Sequence, residues 1–260
     1  MMWSEDVALA IHEAHRLGLD FAPLRKRGHE LGEAGAYEIQ DHYVARLCAD
    51  LQSDVVGYKI GLTSPAMQKM CGVSAPVYGR ILGKRVHSGE APVDPGRYGH
   101  LGVEFEIAVR LGKDVAAPPA MWSAMDEYVD AIAPAFELVD DRHANYDYID
   151  GASLIADNAW SAGIVHGTWQ IAPADLPSRR GRVFCDGAQI DEGRVGDALE
   201  HPFASVHWLA GELIRRGHVL RAGMVVMTGS IVRTRFPSAG QHWRYEVDGL
   251  GAVRAAFASA

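Results

Sequence analysis

Two glutamates separated by one residue are the first feature of this sequence that could do chemistry. Glu104 and Glu106 lie in residues 103–111 (VEFEIAVRL), where every second residue is apolar, as in a strand. Residues two apart on a strand share a face and lie about 7 Å apart, so the two carboxylates can converge on one ion. Neighbouring carboxylates repel unless a cation lies between them, and a hard, oxygen-liganded cation would suit. The alternative is that both are solvated on an exposed face, as most charged strand residues are.

A third glutamate favours the metal interpretation. Glu137 lies in the apolar run 131–140 (AIAPAFELVD), where a lone buried carboxylate would be costly. A divalent ion shared with Glu104 and Glu106 would remove that cost. Zinc is not expected, because the twelve histidines contain no HxH or HExxH pairing. We therefore predict a site for a hard divalent cation, Mg²⁺ before others, built from these three glutamates.

A lysine stands in an otherwise apolar strand pattern. Lys59 lies in residues 55–62 (VVGYKIGL) and could hold an anionic substrate or move a proton, because burial readily lowers a lysine pKa. The alternative is an edge-strand lysine that blocks unwanted strand pairing. Ser64 and Pro65 then predict a helix start, with serine as N-cap and proline at the first helical position. The free N–H groups of such a helix could receive a carboxylate.

Periodicity predicts the elements that must position these groups. Apolar residues recur at helical spacing from an N-cap at Ser4 to Gly18, and again over residues 37–51. Two later helices are predicted, one after Ser64 and one over residues 202–216. Strands are predicted over residues 55–62, 103–111, 132–139, 163–166, 182–185, 224–228, 242–247 and 253–260. The pattern indicates a helical segment (residues 1–54) followed by a curled or sandwiched sheet (residues 55–260), not a doubly wound βαβ fold.

Several classes of protein are excluded by composition. The net charge is −8 and no basic stripe exists, so a nucleic-acid partner is not expected. No apolar stretch reaches membrane-spanning length, and the N-terminus lacks the basic start and apolar run of a signal peptide. Three cysteines without a CxxC pair predict no disulfide framework and a reducing, cytoplasmic setting. Neither a GxGxxG dinucleotide fingerprint nor a GxxxxGK[ST] phosphate loop is found.

Six motifs in order along almost the whole chain carry a resemblance to a known family. They are KIGLTSPAMQ (59–68), EFE (104–106), PAFELVD (134–140), ADN (156–158), TGS (228–230) and GLG (249–251). Each motif alone is weak, but the ordered set resembles the 2-keto-4-pentenoate hydratase / 4-oxalocrotonate decarboxylase family of the fumarylacetoacetate hydrolase-like superfamily. The resemblance implies an α+β fold with a curled mixed β-sheet or β-sandwich core, the catalytic domain (residues 55–260), and an N-terminal helical segment (residues 1–54). It also implies a homo-oligomer acting on a small 2-oxo acid during meta-cleavage of aromatic rings.

The resemblance also implies roles for particular residues. Mg²⁺ or Mn²⁺ would be held by Glu104, Glu106 and Glu137, with the 2-oxo acid end of the substrate chelating the metal. Lys59 matches the family's lysine near the reacting carbons and is the expected catalytic residue. The expected substrate-binding residues are Lys59, Leu62, Thr63, Ser64, Val77, Asp157 and Ser230.

One departure from the family pattern keeps the reaction type open. Hydratases of the family read PDYG after the helix, whereas residues 76–79 here read PVYG, so the aspartate that handles protons in water addition is replaced by Val77. Family decarboxylases carry an apolar residue there, which favours loss of CO₂ from a 4-oxalocrotonate-like diacid through the same enolate. Motif 59–68 matches hydratases better, and hydration of a 2-hydroxy-2,4-dienoate is the first expectation. An acylpyruvate C–C hydrolase and a non-catalytic binding homologue remain as further alternatives.

Overall fold

This computed structural model describes residues 2–27 and 31–258. They contain two β-sheets and five α-helices, joined by loops and short 3-10 helices. The helices are α1 (Met2–Arg16), α2 (Glu33–Leu51), α3 (Pro65–Cys71), α4 (Gly151–Ala156) and α5 (Pro202–Arg215). The strands are β1 (Val55–Gly61), β2 (Val77–Leu82), β3 (Val86–Ser88), β4 (Glu90–Val93), β5 (Leu101–Leu111), β6 (Val129–Asp140), β7 (Ser161–His166), β8 (Arg180–Cys185), β9 (Ala188–Arg194), β10 (Val225–Met227), β11 (His242–Val247) and β12 (Gly251–Phe257). Among the described helices, none is both long and apolar enough to cross a membrane.

The larger sheet has seven strands and mixed pairing. Its order is β2-β1-β10-β5-β6-β7-β3, with β1–β10 and β3–β7 parallel and the other neighbours antiparallel. The second sheet has the order β4-β12-β11-β8-β9. The predicted α+β class with a curled mixed sheet is confirmed, and no βαβαβ succession of a doubly wound fold occurs in the described residues.

The main core lies between the two sheets and explains which way the glutamates point. Phe105 of β5 stacks on Trp243 of β11 with ring centroids 5.7 Å apart, and it meets Phe136 of β6 edge-on at the same distance. Because side chains alternate along a strand, Glu104 and Glu106 lie on the opposite face of the larger sheet, turned away from the second sheet. This face is called the inner face below. Small apolar residues, including Ala108 and Ala135, line that inner face.

The N-terminal helices share a core with the sheet. Val7 and Ile11 of α1 and Ile39 of α2 belong to one buried cluster that also contains Leu82 of β2 and Ala156 of α4. The helical segment therefore shares a buried cluster with β2 and α4. The predicted division of the chain at residue 54 stays a prediction.

The elements differ from the sequence-based predictions in a few places. Ser4 is not an N-cap: helix α1 begins at Met2, and the Ser4 hydroxyl donates to Glu38 Oε1 of α2 at 2.9 Å. The prediction missed α4 and four strands. Of these, β3 and β4 are very short, Gly79 and Arg80 break the apolar sequence pattern of β2, and β9 is a polar edge strand. The last predicted strand ends at Phe257, and Ser259 and Ala260 lie outside the described residues.

Candidate metal and substrate site

The three glutamates meet on two paired strands. β5 and β6 are antiparallel, and their register places Glu104 directly opposite Glu137, with Glu106 two residues further along β5. One carboxylate oxygen from each residue lies within 4.8 Å of the others. Glu106 and Glu137 are fully buried, whereas Glu104 is partly exposed. The alternative of two solvated glutamates on an exposed strand face is therefore wrong.

Lys59 completes this group from a third strand. Its Nζ lies 2.8 Å from Glu137 Oε1, and the residue is only 4% exposed. β1 lies between β2 and β10 in the sheet, so the edge-strand alternative for Lys59 is wrong as well. Burial opposes the charge on Lys59, but the carboxylates of Glu137 and Glu104 outweigh it and raise the lysine pKa. Lys59 is therefore a charged ammonium that neutralises part of the acidic cluster.

The three carboxylates together carry more negative charge than the Lys59 ammonium can neutralise. Burial and the neighbouring carboxylates raise the pKa of Glu106 well above its ordinary value. Burial likewise raises the pKa of Glu137 to about 7, although Lys59 acts in the opposite direction. Glu106 Oε1 and Glu137 Oε2 are buried and have no hydrogen-bond partner among the described residues. Buried, unsatisfied carboxylate oxygens around one point fit the ligand set of a hard divalent cation.

The loop between β10 and β11 positions two of the carboxylates. The backbone N–H of Gly229 donates to Glu106 Oε2 at 2.8 Å, and the Thr234 hydroxyl donates to Glu104 Oε1 at 2.7 Å. Gly229 has a φ of 105°, and a Cβ built on it would lie 2.7 Å from Thr63 Cγ2. Only glycine allows this loop to approach Thr63 so closely while its N–H points at Glu106.

The predicted substrate-binding residues after Lys59 lie at the end of β1. Leu62 adopts the left-handed backbone region with a φ of 54°, which turns the chain between β1 and α3. Ser64 is the N-cap of α3, as predicted, and its hydroxyl accepts from the Met67 N–H at 3.3 Å. Val77 of β2 is paired with Gly61, and a Cβ on Gly61 would lie within 4 Å of both Val77 Cγ2 and Lys59 Nζ. Val77 is thus a buried apolar neighbour of the lysine.

Ser230 and Asp157 take positions that sequence reasoning did not foresee. The Ser230 hydroxyl accepts from the Phe105 N–H at 2.9 Å, so it supports the strand between Glu104 and Glu106. Asp157 is buried elsewhere: its Oδ1 lies 2.6 Å from His15 Nε2, and its Oδ2 accepts from Arg142. The structure does not bring Asp157 into contact with the three glutamates, and its role as a substrate ligand stays a prediction without structural support.

Asn158 is a positioning residue that sequence reasoning quoted in a motif but did not assign. Its side-chain amide accepts from the Arg80 N–H at 2.7 Å and donates to the Arg80 carbonyl at 2.9 Å. These bonds hold β2 against the segment after α4, where Asn158, Ala159 and Trp160 all have positive φ. Three consecutive non-glycine residues in this region are costly and need such external support. The signal in the sequence that could have identified Asn158 was the ADN motif at residues 156–158.

An imidazole–carboxylate pair was also missed. His100 Nδ1 lies 2.7 Å from Asp141 Oδ1, and the Tyr146 hydroxyl donates to Asp141 Oδ2 at 3.0 Å. His100 immediately precedes β5 and lies four residues before Glu104 in sequence. Forty-one residues separate the pair in sequence, and no local pattern could indicate it.

The chain is similar to known proteins over almost its whole length. A family model described as fumarylacetoacetate (FAA) hydrolase C-terminal matches residues 83–258. A 2-keto-4-pentenoate hydratase of Burkholderia vietnamiensis is 33% identical over 257 residues, covering 96% of this chain and 96% of that protein. A 4-oxalocrotonate decarboxylase of Pseudomonas putida is 30% identical over 255 residues, covering 97% and 93%. The solved structure of 4-oxalocrotonate decarboxylase from Pseudomonas putida G7, complexed with magnesium and adipate, superposes with a TM-score of 0.90 at 28% identity, covering 98% and 97%.

Proposed function

The chain belongs to the fumarylacetoacetate hydrolase family, among its 2-keto-4-pentenoate hydratases and 4-oxalocrotonate decarboxylases, and from that premise we propose that it is a metal-dependent hydratase. It is an enzyme of the lyase kind, and its proposed substrate is a 2-hydroxy-2,4-dienoate or the corresponding 2-oxo-4-enoate. The observation that carries the proposal is the cluster of Lys59 with three converging carboxylates on the inner face of the sheet.

Glu104, Glu106 and Glu137 are the proposed ligands of a divalent cation. The unpartnered oxygens of Glu106 and Glu137 support this assignment. Mg²⁺ and Mn²⁺ are the proposed ions, because both prefer carboxylate oxygens. Of the two, Mg²⁺ is proposed first. When bound, such a cation supplies Lewis-acid stabilisation of the negative charge that develops on the substrate's oxygens.

Lys59 is the proposed proton carrier. Its Nζ holds a proton beside Glu137 Oε1 and has Val77 as an apolar neighbour, so little water competes for that proton. Such a group can deliver a proton to a substrate carbon and recover it in the next step. The turn at Leu62, Thr63 and Ser64, packed on Gly229, is the proposed wall against which the oxo-acid end binds.

Decarboxylation of a 2-oxo diacid is the second candidate, and Val77 favours it. The residue is 2% exposed and stands where hydratases of the family carry an aspartate. An apolar side chain near the distal carboxylate would disfavour its hydration, and loss of solvation favours release of CO₂. The hydrolase and binding-protein alternatives have no comparable support among the described residues.

Two properties of the whole protein are also proposed. The three cysteines are free, which supports a reducing, cytoplasmic setting. A homo-oligomer is proposed because exposed apolar side chains such as Met121 and Ile171, the latter 87% exposed, are candidates for burial between copies. Sedimentation velocity measures the oligomeric state directly.

One experiment separates the two reactions. Purified protein with Mg²⁺ is offered 2-hydroxypenta-2,4-dienoate or 2-hydroxymuconate, and both diene absorbance and CO₂ are followed. Loss of absorbance without CO₂ supports hydration, whereas CO₂ release supports decarboxylation. EDTA and Glu106→Gln are expected to abolish either activity, while Glu127→Gln, an exposed control, is expected to leave it unchanged. Turnover that survives both EDTA and Glu106→Gln would overturn the metal assignment.

A further inference from the structure

A cavity of about 820 Å³ lies between the N-terminal helices and the sheet. Residues of α1, α2 and β7 and of the segments around β3 and before β5 line it. Neither Lys59 nor any of the three glutamates of the proposed metal site contributes to its lining. Its volume is in the range that holds small-molecule ligands.

Most of the cavity's charged side chains are positive. It is lined by five permanently positive side chains, those of Arg16, Lys84, Arg85, Arg97 and Arg142. Its carboxylates are those of Asp50, Asp140 and Asp157. Arg16 and Arg97 pair with Glu13 and Asp94, and Arg142 pairs with Asp157, so among the described residues Lys84 and Arg85 are the lining cations without a carboxylate partner.

The carboxylates of the cavity are already engaged by other partners. Asp157 is held by His15 and Arg142, as described above. Asp50 Oδ2 lies 2.7 Å from a nitrogen of His12. Asp140 accepts backbone N–H groups of residues 99, 100 and 142. None of these carboxylates is therefore free to neutralise further cations.

Several donors remain unsatisfied. Within the described residues, neither Lys84 nor Arg85 has a carboxylate within ion-pair distance, and the closest acceptor of Arg85 is the Ser161 carbonyl at 3.4 Å. Arg142 and Trp160 are both more than nine-tenths buried, and Arg142 Nε and Trp160 Nε1 have no hydrogen-bond partner there. Buried N–H donors without acceptors are rare and indicate a missing partner.

The cavity also has flat apolar walls. The rings of Tyr43, Tyr98 and Trp160 line it, and Tyr43 stacks on His15 with ring centroids 5.5 Å apart. Burial raises the pKa of Tyr43, so its phenol stays neutral and can donate a hydrogen bond. Arginine recognises carboxylate and phosphate groups, whereas aromatic rings recognise a planar body.

From this arrangement we propose that the cavity is a second binding site, separate from the metal site, for a small planar organic anion. Arg85 and Lys84 receive its carboxylate or phosphate group, and the aromatic walls contact its body. Arg142 lines the site and also holds Asp157, the residue before Asn158, which positions β2 beside the Lys59 strand. An anion bound in this cavity would therefore lie next to the residues that position β2 beside the Lys59 strand.

Isothermal titration calorimetry tests this proposal with the full chain. Benzoate and phenyl phosphate are the probes, which distinguish a carboxylate from a phosphate, and benzyl alcohol is the uncharged control. We expect saturable binding of at least one anion at one site per chain. Arg85→Gln is expected to weaken its Kd by about tenfold or more, because a charge-assisted hydrogen bond is lost. Arg221→Gln, a surface arginine paired with Asp114, is the matched control.

A metal-site variant separates this proposal from the proposed function. Binding is expected to persist in Glu106→Gln, whatever the effect of that change on catalysis. Binding lost in Glu106→Gln but kept in Arg85→Gln would place the probe in the metal site and overturn the proposal. Equal binding of benzyl alcohol, binding unaffected by Arg85→Gln, or no binding of either anion would also overturn it. So would dissociation of an oligomer by Arg85→Gln, since the cavity would then be an interface between copies.

Discussion

Glu137 and Lys59 show at the scale of single residues why the proposed site needs a cation. The Lys59 ammonium lies 2.8 Å from Glu137 Oε1 and can neutralise only one of the three carboxylates. Burial of the excess negative charge is unfavourable, and the raised pKa values of Glu106 and Glu137 are its direct consequence. A proton or a metal ion can remove the excess, so the two compete.

That competition predicts a pH dependence of metal binding. A glutamate pKa is ordinarily 4.5, whereas burial raises the pKa of Glu137 to about 7. Between these values the folded metal-free protein keeps a proton that the unfolded chain has released, so its stability from this group falls as pH rises. Mg²⁺ must displace the same proton, and its affinity is expected to rise from about pH 6 to about pH 8.

Calorimetric titration with Mg²⁺ across this pH range checks the prediction. In parallel, the difference in metal-free stability between Glu137→Gln and the wild type should grow in favour of the variant as pH rises. A Kd for Mg²⁺ that stays constant over the range would contradict the expected competition.

The substitution Lys59→Met tests what happens when the acidic cluster loses its positive charge. The buried carboxylates would lose their compensating charge, and breaking a buried ion pair costs about 3–5 kcal/mol. We expect a lower thermal midpoint in EDTA, partial recovery with Mg²⁺ and loss of turnover in both reactions. Lys113→Met, an exposed lysine, should change the midpoint little. Full activity of Lys59→Met would remove Lys59 from the mechanism.

At the scale of elements, β2 decides where the Lys59 strand lies. β2 pairs with β1 along its length, and its other side is held by the Asn158 amide in place of a strand neighbour. Gly79 lies opposite Lys59, and a Cβ on it would stand 2.3 Å from the Asn158 carbonyl oxygen. The close approach of two backbones at this point requires glycine.

Gly79→Ala is therefore expected to shift β2 and lower both stability and activity. The added methyl group meets backbone that cannot move away, and overpacking typically costs about 1–3 kcal/mol. Gly211→Ala is the matched control, because Gly211 lies in α5 with nothing within 4 Å of a new Cβ. There the same change should stabilise by up to about 1 kcal/mol. Chemical denaturation of both variants measures the contrast, and equal effects would refute it.

At the scale of the whole molecule, the helical segment is expected to unfold together with the sheet. The cluster around Ile39 includes Leu82 and Ala156, which belong to elements beyond residue 54. Gln40 of α2 also donates to the carbonyls of Tyr78 and Ile155. Contacts of this kind couple the two proposed parts of the chain.

Ile39→Ala tests this coupling. Ile39 is fully buried, so the truncation should cost about 2–5 kcal/mol and lower one cooperative transition. Leu9→Ala, at a residue 41% exposed on α1, should cost much less. Two separate transitions in scanning calorimetry, with only one shifted by Ile39→Ala, would show that the helical segment unfolds independently.

The sequence by itself determined the α+β class, most strand positions and the three glutamates as a group. Alternation along residues 103–111 placed Glu104 and Glu106 on one face, and the apolar surroundings of Glu137 indicated a buried acid, because both signals are local. The tertiary structure alone decided that β1 is an internal strand, that Lys59 lies against Glu137, and that Asp157 belongs with His15 and Arg142. It also brought together the lining of the cationic cavity, which runs from His12 to Ala162 in sequence. Strand order and long-range pairing depend on packing between distant segments, and no periodicity within one segment carries that information.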